Sequence, residues 1–339
     1  MSSARAEHLG QERVAGDFLR LQRDLARGHA LVRDEHSSLI TVSGPDRLTW
    51  LNSLITQDVL GLAPHQTVES LLLSLHGRIE HAFFLSDDGL TTWILTPTKH
   101  AEELEAWLRS MVFRMDVSID RPAHVEIIAA TSEALFSGVG AFMVFSDPWP
   151  RVGSGSVGYA EDLHPGNRWE LHWAVIPGGT RVSSEVLPAE HLEALSIAAA
   201  RPTVKDVDET TLPHELDWLR TAVHLNKGCY RGQETVAKVH NLGHPPRRVT
   251  LLHIDGSQSL LPQPGDEVRL GDKRVGHITR AAWHYELGPI ALALIKRTTP
   301  VDQPLSVVTE GLPVGASQEV IVPVDAGGTR DVPRLGRLR

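Results

Sequence analysis

At 339 residues, with 41% hydrophobic and 22% charged side chains, the chain has the composition of a soluble globular protein with about two domains, or three. Its net charge of −9 excludes broad electrostatic binding to nucleic acid or to an anionic membrane, while leaving room for a local basic pocket. The single cysteine, Cys229, excludes an internal disulfide and a cluster held by this chain's thiolates alone, and is compatible with a reducing compartment.

Residues 1–12 read as loose, and residues 1–28 carry neither the apolar core nor the cleavage pattern of a signal peptide. No stretch approaches the roughly 18 apolar residues of a membrane span. Val14, Phe18, Leu21 and Leu25 recur at helical spacing and predict an amphipathic helix over 13–27. A strand is expected at 38–43. Gly44 and Pro45 then open a helix with Leu48, Leu51, Leu54 and Ile55 on one face. Strands at 70–75, 79–85 and 90–95 follow, the last two joined by a turn at 86–89, and a helix over 98–111 leads to a strand at 113–119. Strands at 125–130, 141–145 and 168–176 and a helix over 187–200 suggest a second sheet. From 249 the chain turns to short strands at 249–254, 267–270, 273–279 and 289–296, with Gly271-Asp272 as the clearest hairpin signal. The expected class is α+β, with a small C-terminal β-barrel or sandwich. The divisions are 1–29 with the amphipathic helix, a first lobe over 30–122, a second over 123–246, a barrel over 247–323 and a disordered tail over 324–339.

The stretch richest in chemistry is Lys227-Gly228-Cys229-Tyr230-Arg231-Gly232-Gln233-Glu234. A thiol reacts as thiolate, and cations or a helix N-terminus favour that form. Lys227 and Arg231 supply the charge, and a short helix is expected to begin just after the thiol and to stop near Asn241 and Gly243. If 227–231 is extended, Lys227, Cys229 and Arg231 share a face and Tyr230 points away. The alternative, a small buried structural cysteine, expects apolar neighbours rather than these.

This octet resembles the K-G-C-Y-x-G-Q-E signature of the YgfZ family, folate-binding relatives of the glycine cleavage T-protein associated with assembly or repair of iron–sulfur clusters. Looser similarity runs from about residue 30 to about residue 300. The resemblance implies two α+β lobes around a central folate channel and a C-terminal barrel. It also implies tetrahydrofolate or a derivative as cofactor, iron–sulfur client or assembly proteins as partners, and a cytoplasmic location, with no membrane and no stable nucleic-acid complex. Cys229 and Lys227 become the candidate catalytic residues. Lys227, Tyr230, Gln233, Glu234 and Glu80 become the candidate folate-binding residues. Lys227 is expected to hold tail carboxylates or a folate adduct, or to tune the thiol. Glu80, in His76-Gly77-Arg78-Ile79-Glu80-His81, corresponds to the acidic residues that hold the pterin in T-proteins, with His81 as competitor if the register slips by one.

Two departures matter. The family's R-I-E-A-G-x-P segment survives only as Ser196 to Pro202, its glutamate falling on Ala198 and its glycine on Ala200. T-protein aminomethyltransferases carry K-G-D-F at the octet, with an acid where Cys229 stands. The leading expectation is thus a folate-binding factor supporting cluster assembly or repair. A tetrahydrofolate-dependent aminomethyl or methyl transferase and a non-catalytic scaffold with a vestigial channel are the alternatives. Gly153 to Gly158 spells G-x-G-x-x-G, but prolines precede it and no helical period follows, so it reads as a loop. The 18 histidines include no H-E-x-x-H, and His240 and His244 are separated by Gly243, so no metal site is expected.

Overall fold

The computed structural model describes residues 16–160 and 164–328. The loose stretch expected over 1–12, the start of the helix expected from residue 13 and the tail beyond 328 lie outside these residues. Helix α1, over residues 16–26, is anchored at both its ends. Phe18 stacks on His191 at 4.2 Å, and Leu25 is fully buried. The Gln22 amide donates to the Trp283 carbonyl and accepts from the Tyr285 N–H, which fastens the helix to the barrel.

The first lobe is a five-stranded sheet in the order β3-β4-β5-β2-β6. It comprises β2 (Ser37–Ser43), β3 (Thr67–Leu73), β4 (Ile79–Asp87), β5 (Thr91–Pro97) and β6 (Ser118–Asp120). Helices α2 (Arg47–Leu54) and α3 (Thr98–Ser110) cover one face. Side chains alternate across a sheet, so Ile40, Phe83, Leu85 and Ile94 meet Leu51, Leu104 and Leu108 on that side. Leu39, Leu71, Leu73 and Leu95 point the other way, into the core shared with the second lobe. The strand expected at 113–119 forms only at Ser118–Asp120.

The second sheet runs β10-β1-β7-β9-β8, from β1 (Ala30–Arg33), β7 (Val125–Ala130), β8 (Met143–Ser146), β9 (His172–Pro177) and β10 (Glu185–Leu187). Here the boundary drawn at residue 30 needs correction. β1 pairs antiparallel with β7 and parallel with β10, so the chain enters through the second lobe before building the first. Helix α4 (Glu190–Ala198) follows, then the short α5 (Leu219–Ala222) and α6 (Gln233–Leu242).

Six strands close the barrel in the order β11-β14-β13-β12-β15-β16: β11 (Arg247–Ile254), β12 (Glu267–Leu270), β13 (Lys273–His284), β14 (Gly288–Lys296), β15 (Leu305–Thr309) and β16 (Leu312–Val320). Leu252, Ile278, Ala293 and Val307 fill its interior, while Val249, Leu251, Leu292 and Leu294 pack outward on the lobes. A register shift between Ile278 and Arg280 turns Arg280 out of the barrel. Its guanidinium donates to Asp206, Ser196 and the Arg201 carbonyl at 2.6–3.0 Å, so the barrel braces the turn after α4. Residues 324–328, expected to be disordered, are packed. Ala326 is buried, its carbonyl meets His244 Nδ1 at 2.9 Å, and the Val324 carbonyl accepts from Arg297.

Candidate functional site

The octet forms a pinned turn rather than an extended strand, and its side chains diverge. Lys227 points inward. Its ammonium donates to the carbonyls of Asn52, Ile55 and Gln57 at 2.7, 2.8 and 2.7 Å. These carbonyls lie at and just beyond the C-terminal end of α2, where unsatisfied acceptors and the helix dipole favour a cation. All three N–H bonds are spent there. Burial lowers the Lys227 pKa to about 8, against the pull of Asp58. Tyr230 is buried in the shared core, 5.7 Å from the ammonium by its ring centroid, and burial pushes its hydroxyl pKa up. Gln233 donates to the Lys227 carbonyl and closes the turn. Arg231 reaches the other way to a two-bond ion pair with Glu80 at 2.8 and 3.3 Å. Glu234 is exposed on the first turn of α6.

The two glycines of the octet do different work. Gly232 has φ +84° and caps α6; a Cβ there would lie 2.6 Å from the Ser74 carbonyl and 3.0 Å from the Gly77 Cα. The octet therefore presses directly on the β3–β4 hairpin, which only glycine allows. A Cβ on Gly228 would meet nothing within 4 Å. Cys229 stands exposed between these two positions.

A separate feature lies where the two sheets face each other: a cavity of about 150 Å³ walled by Phe84, Trp169, Trp173 and Trp218. Its polar groups are Glu69 on β3, Asp147 after β8 and Arg201 after α4, all buried. Arg201 donates to Glu69 at 2.6 Å and to Asp147 at 2.9 Å. Trp218 and Thr221 also donate to Glu69, and Trp169 and the Trp149 backbone N–H to Asp147. Burial opposes the Arg201 charge, but the flanking carboxylates hold its pKa above the usual range. Burial raises the Glu69 pKa and Asp147 adds to this, against Arg201, because two carboxylates share one guanidinium in a dry setting. A cavity of this size admits one benzene-like ring. Its aromatic walls and net negative polar cluster match the chemistry of a flat heterocycle rich in N–H donors, such as the ring of the folate that the resemblance implies.

None of the six residues singled out in the sequence lines this cavity. Glu80 sits at the β3–β4 register shift, held outward by Arg231, and His81 is buried with its pKa lowered by burial to about 4. The residues that sequence reasoning missed are Glu69, Asp147 and the tryptophans. The nearest signal was Arg201, in the degenerate segment. Ala200, where the family has glycine, keeps a left-handed φ of +48°. The motif and the cavity are nonetheless mechanically joined. Thr221 donates to Glu69 in the cavity, Gln57 donates to the Thr221 carbonyl, Thr56 donates to the Ala222 carbonyl, and Lys227 donates to Gln57. Among the described residues no group of three His, Cys, Asp or Glu is placed to hold a metal ion, and no helix is long and apolar enough to cross a membrane.

No family model matches the chain. The structure is similar to the glycine cleavage system aminomethyltransferase T of Bartonella henselae, with a TM-score of 0.70 and 17% identity over 91% of this chain and 89% of that one. Two α+β lobes around a central cavity with a closed C-terminal barrel thus define a protein of the T-protein fold. Among sequences, a chloroplastic protein of Arabidopsis thaliana is 24% identical over 328 residues, covering 86% of this chain and 72% of its own. The tRNA-modifying protein YgfZ of Photorhabdus laumondii is 28% identical over 268 residues, 72% of this chain and 77% of its own. Within the T-protein fold, these similarities support a relationship to the YgfZ proteins.

Proposed function

We propose that the protein binds a tetrahydrofolate and supports assembly or repair of iron–sulfur clusters in client proteins, presenting Cys229 to them. The observation that carries this reading is the exposure of the only cysteine on a turn fixed on both sides, by Lys227 and by Gly232. A structural cysteine belongs in a core; a thiol held rigidly at the surface suits contact with another protein. The folate ring belongs in the inter-sheet cavity, among Trp169, Trp173, Trp218 and Phe84, with Glu69 and Asp147 as its polar complement. Bound there, a reduced folate supplies one-carbon or redox chemistry. This chain's share is to exclude water from the ring and keep the Glu69–Arg201–Asp147 cluster in place.

Relatives carry the name tRNA-modifying protein. A chain of net charge −9 is poorly suited to hold tRNA itself, so in our reading an RNA-modifying enzyme with a cluster is a candidate client, in the cytoplasm. The aminomethyl transferase reading is weaker, because Cys229 stands where T-protein aminomethyltransferases carry an acid and Ala198 where a glutamate is expected. The test is Cys229→Ala in cells lacking their own copy of the protein. The variant is expected to keep the wild-type melting temperature and fail to restore activity of a cluster-dependent enzyme. Full restoration would remove the thiol from the function.

A further inference from the structure

We propose that the polar groove outside the cavity, between Arg151 and Arg168, takes a carboxylate-bearing tail of the bound molecule; for a folate, these are its γ-linked glutamates. This rests on the folate reading and adds where the charged end of the ligand lies.

The cavity of about 150 Å³ holds one ring system, so the remainder of a folate has to leave it. Two recesses share walls with the cavity. One, of about 670 Å³, shares Asp147, Trp169 and Leu171; the other, of about 420 Å³, shares Ser37. In the larger, two arginines balance two acids; the smaller has an excess of acids. The larger is lined by Arg151 and Arg168, with His65 and His172 beside them. Neither guanidinium has a carboxylate partner among the described residues. The acids of that groove are already engaged, Asp147 by Arg201 and Glu170 by His172 at 3.2 Å. In the smaller recess Arg33 is paired with Glu126 and Arg121 with Glu105, and Asp34 and Glu35 add uncompensated negative charge. An anionic tail is therefore drawn to the first mouth and repelled from the second. Lys227, the cation expected to hold the tail, has no N–H left to offer.

The experiment is an equilibrium titration, read by quenching of the cavity tryptophans, with tetrahydrofolate mono- and triglutamate. It is run on the wild type and on the Arg151→Ala/Arg168→Ala double variant, whose exposed side chains make no bond among the described residues. The triglutamate is expected to bind the wild type about five- to tenfold more tightly, as two exposed ion pairs would allow. That advantage should shrink in high salt. In the double variant it should vanish while monoglutamate affinity stays unchanged. Equal affinities of the two forms for the wild type would overturn this inference alone. So would a preference that survives the double variant and disappears in Arg33→Ala/Arg121→Ala. Binding of neither form would overturn the folate reading and this inference with it.

Discussion

Replacing Lys227 by methionine keeps the length and apolar stem of the side chain and removes only its ammonium. The structure assigns that ammonium to three carbonyls, at Asn52, Ile55 and Gln57. The variant leaves three acceptors without their donor in a partly buried setting, at roughly 1 kcal/mol each, or about 3 kcal/mol in all. With an unfolding entropy of about 2.1 cal/mol/K per residue, a chain of this length would lose about 4 °C in melting temperature. Lysine at pH 7 lies below its lowered pKa of about 8, so the comparison at that pH is with the charged form. Arginine is the informative control. Its planar fork cannot converge three N–H donors on the same three carbonyls, so Lys227→Arg should recover only part of the loss. If Lys227 served merely as a positive charge, arginine would restore it fully. The assay is thermal unfolding at pH 7 backed by a urea titration. A Lys227→Met protein melting within 1 °C of the wild type would refute the clamp.

Gly232→Ala is expected to lose at least 1–2 kcal/mol from the left-handed backbone alone, and more from the 2.6 Å approach of its Cβ to the Ser74 carbonyl. Urea midpoints would register this, and Gly228→Ala, with open space around it, should leave them unchanged. Acid should destabilise the fold. Burial lowers the pKa values of His81, His164 and His214 to about 4, with Arg220 assisting at His164. Their unfolded forms take up protons below about 6.5, so each contributes stability above that pH that is lost as the pH falls through 4, at about 3 kcal/mol. Burial raises Asp217 to about 7, which works in the opposite sense and gains about 4 kcal/mol over the same range. These four groups together give a loss of about 5 kcal/mol between pH 7 and 4, and Asp217→Asn should steepen it. Equal urea midpoints at the two pH values would contradict this.

Elements with a strong local pattern were legible in the sequence. Helix α3 carries Ala101, Leu104 and Leu108 on one face, and β12 and β13 flank a glycine-aspartate turn. What escaped depended on distant partners. The apolar run Ala30–Arg33 suits either sheet, and its place is set by β7 and β10, about 95 and 155 residues away. An extended 227–231 would put Lys227, Cys229 and Arg231 on one face, but Lys227 is drawn inward by the end of α2 and Gly232 turns left-handed to meet the hairpin. Glu69 is a lone acid in an apolar strand. Partners 132 to 152 positions on, Arg201, Trp218 and Thr221, make its burial tenable. The octet itself could be found because its chemistry is contiguous, whereas the cavity is assembled from many separate stretches of chain, from Ser37 to Trp218.

The most direct test of the account is anaerobic calorimetric titration of the purified protein with tetrahydrofolate. The account predicts saturable binding near one site per chain. No heat and no thermal stabilisation up to millimolar ligand would contradict it, leaving the inter-sheet cavity a remnant and the Cys229 surface to act without folate.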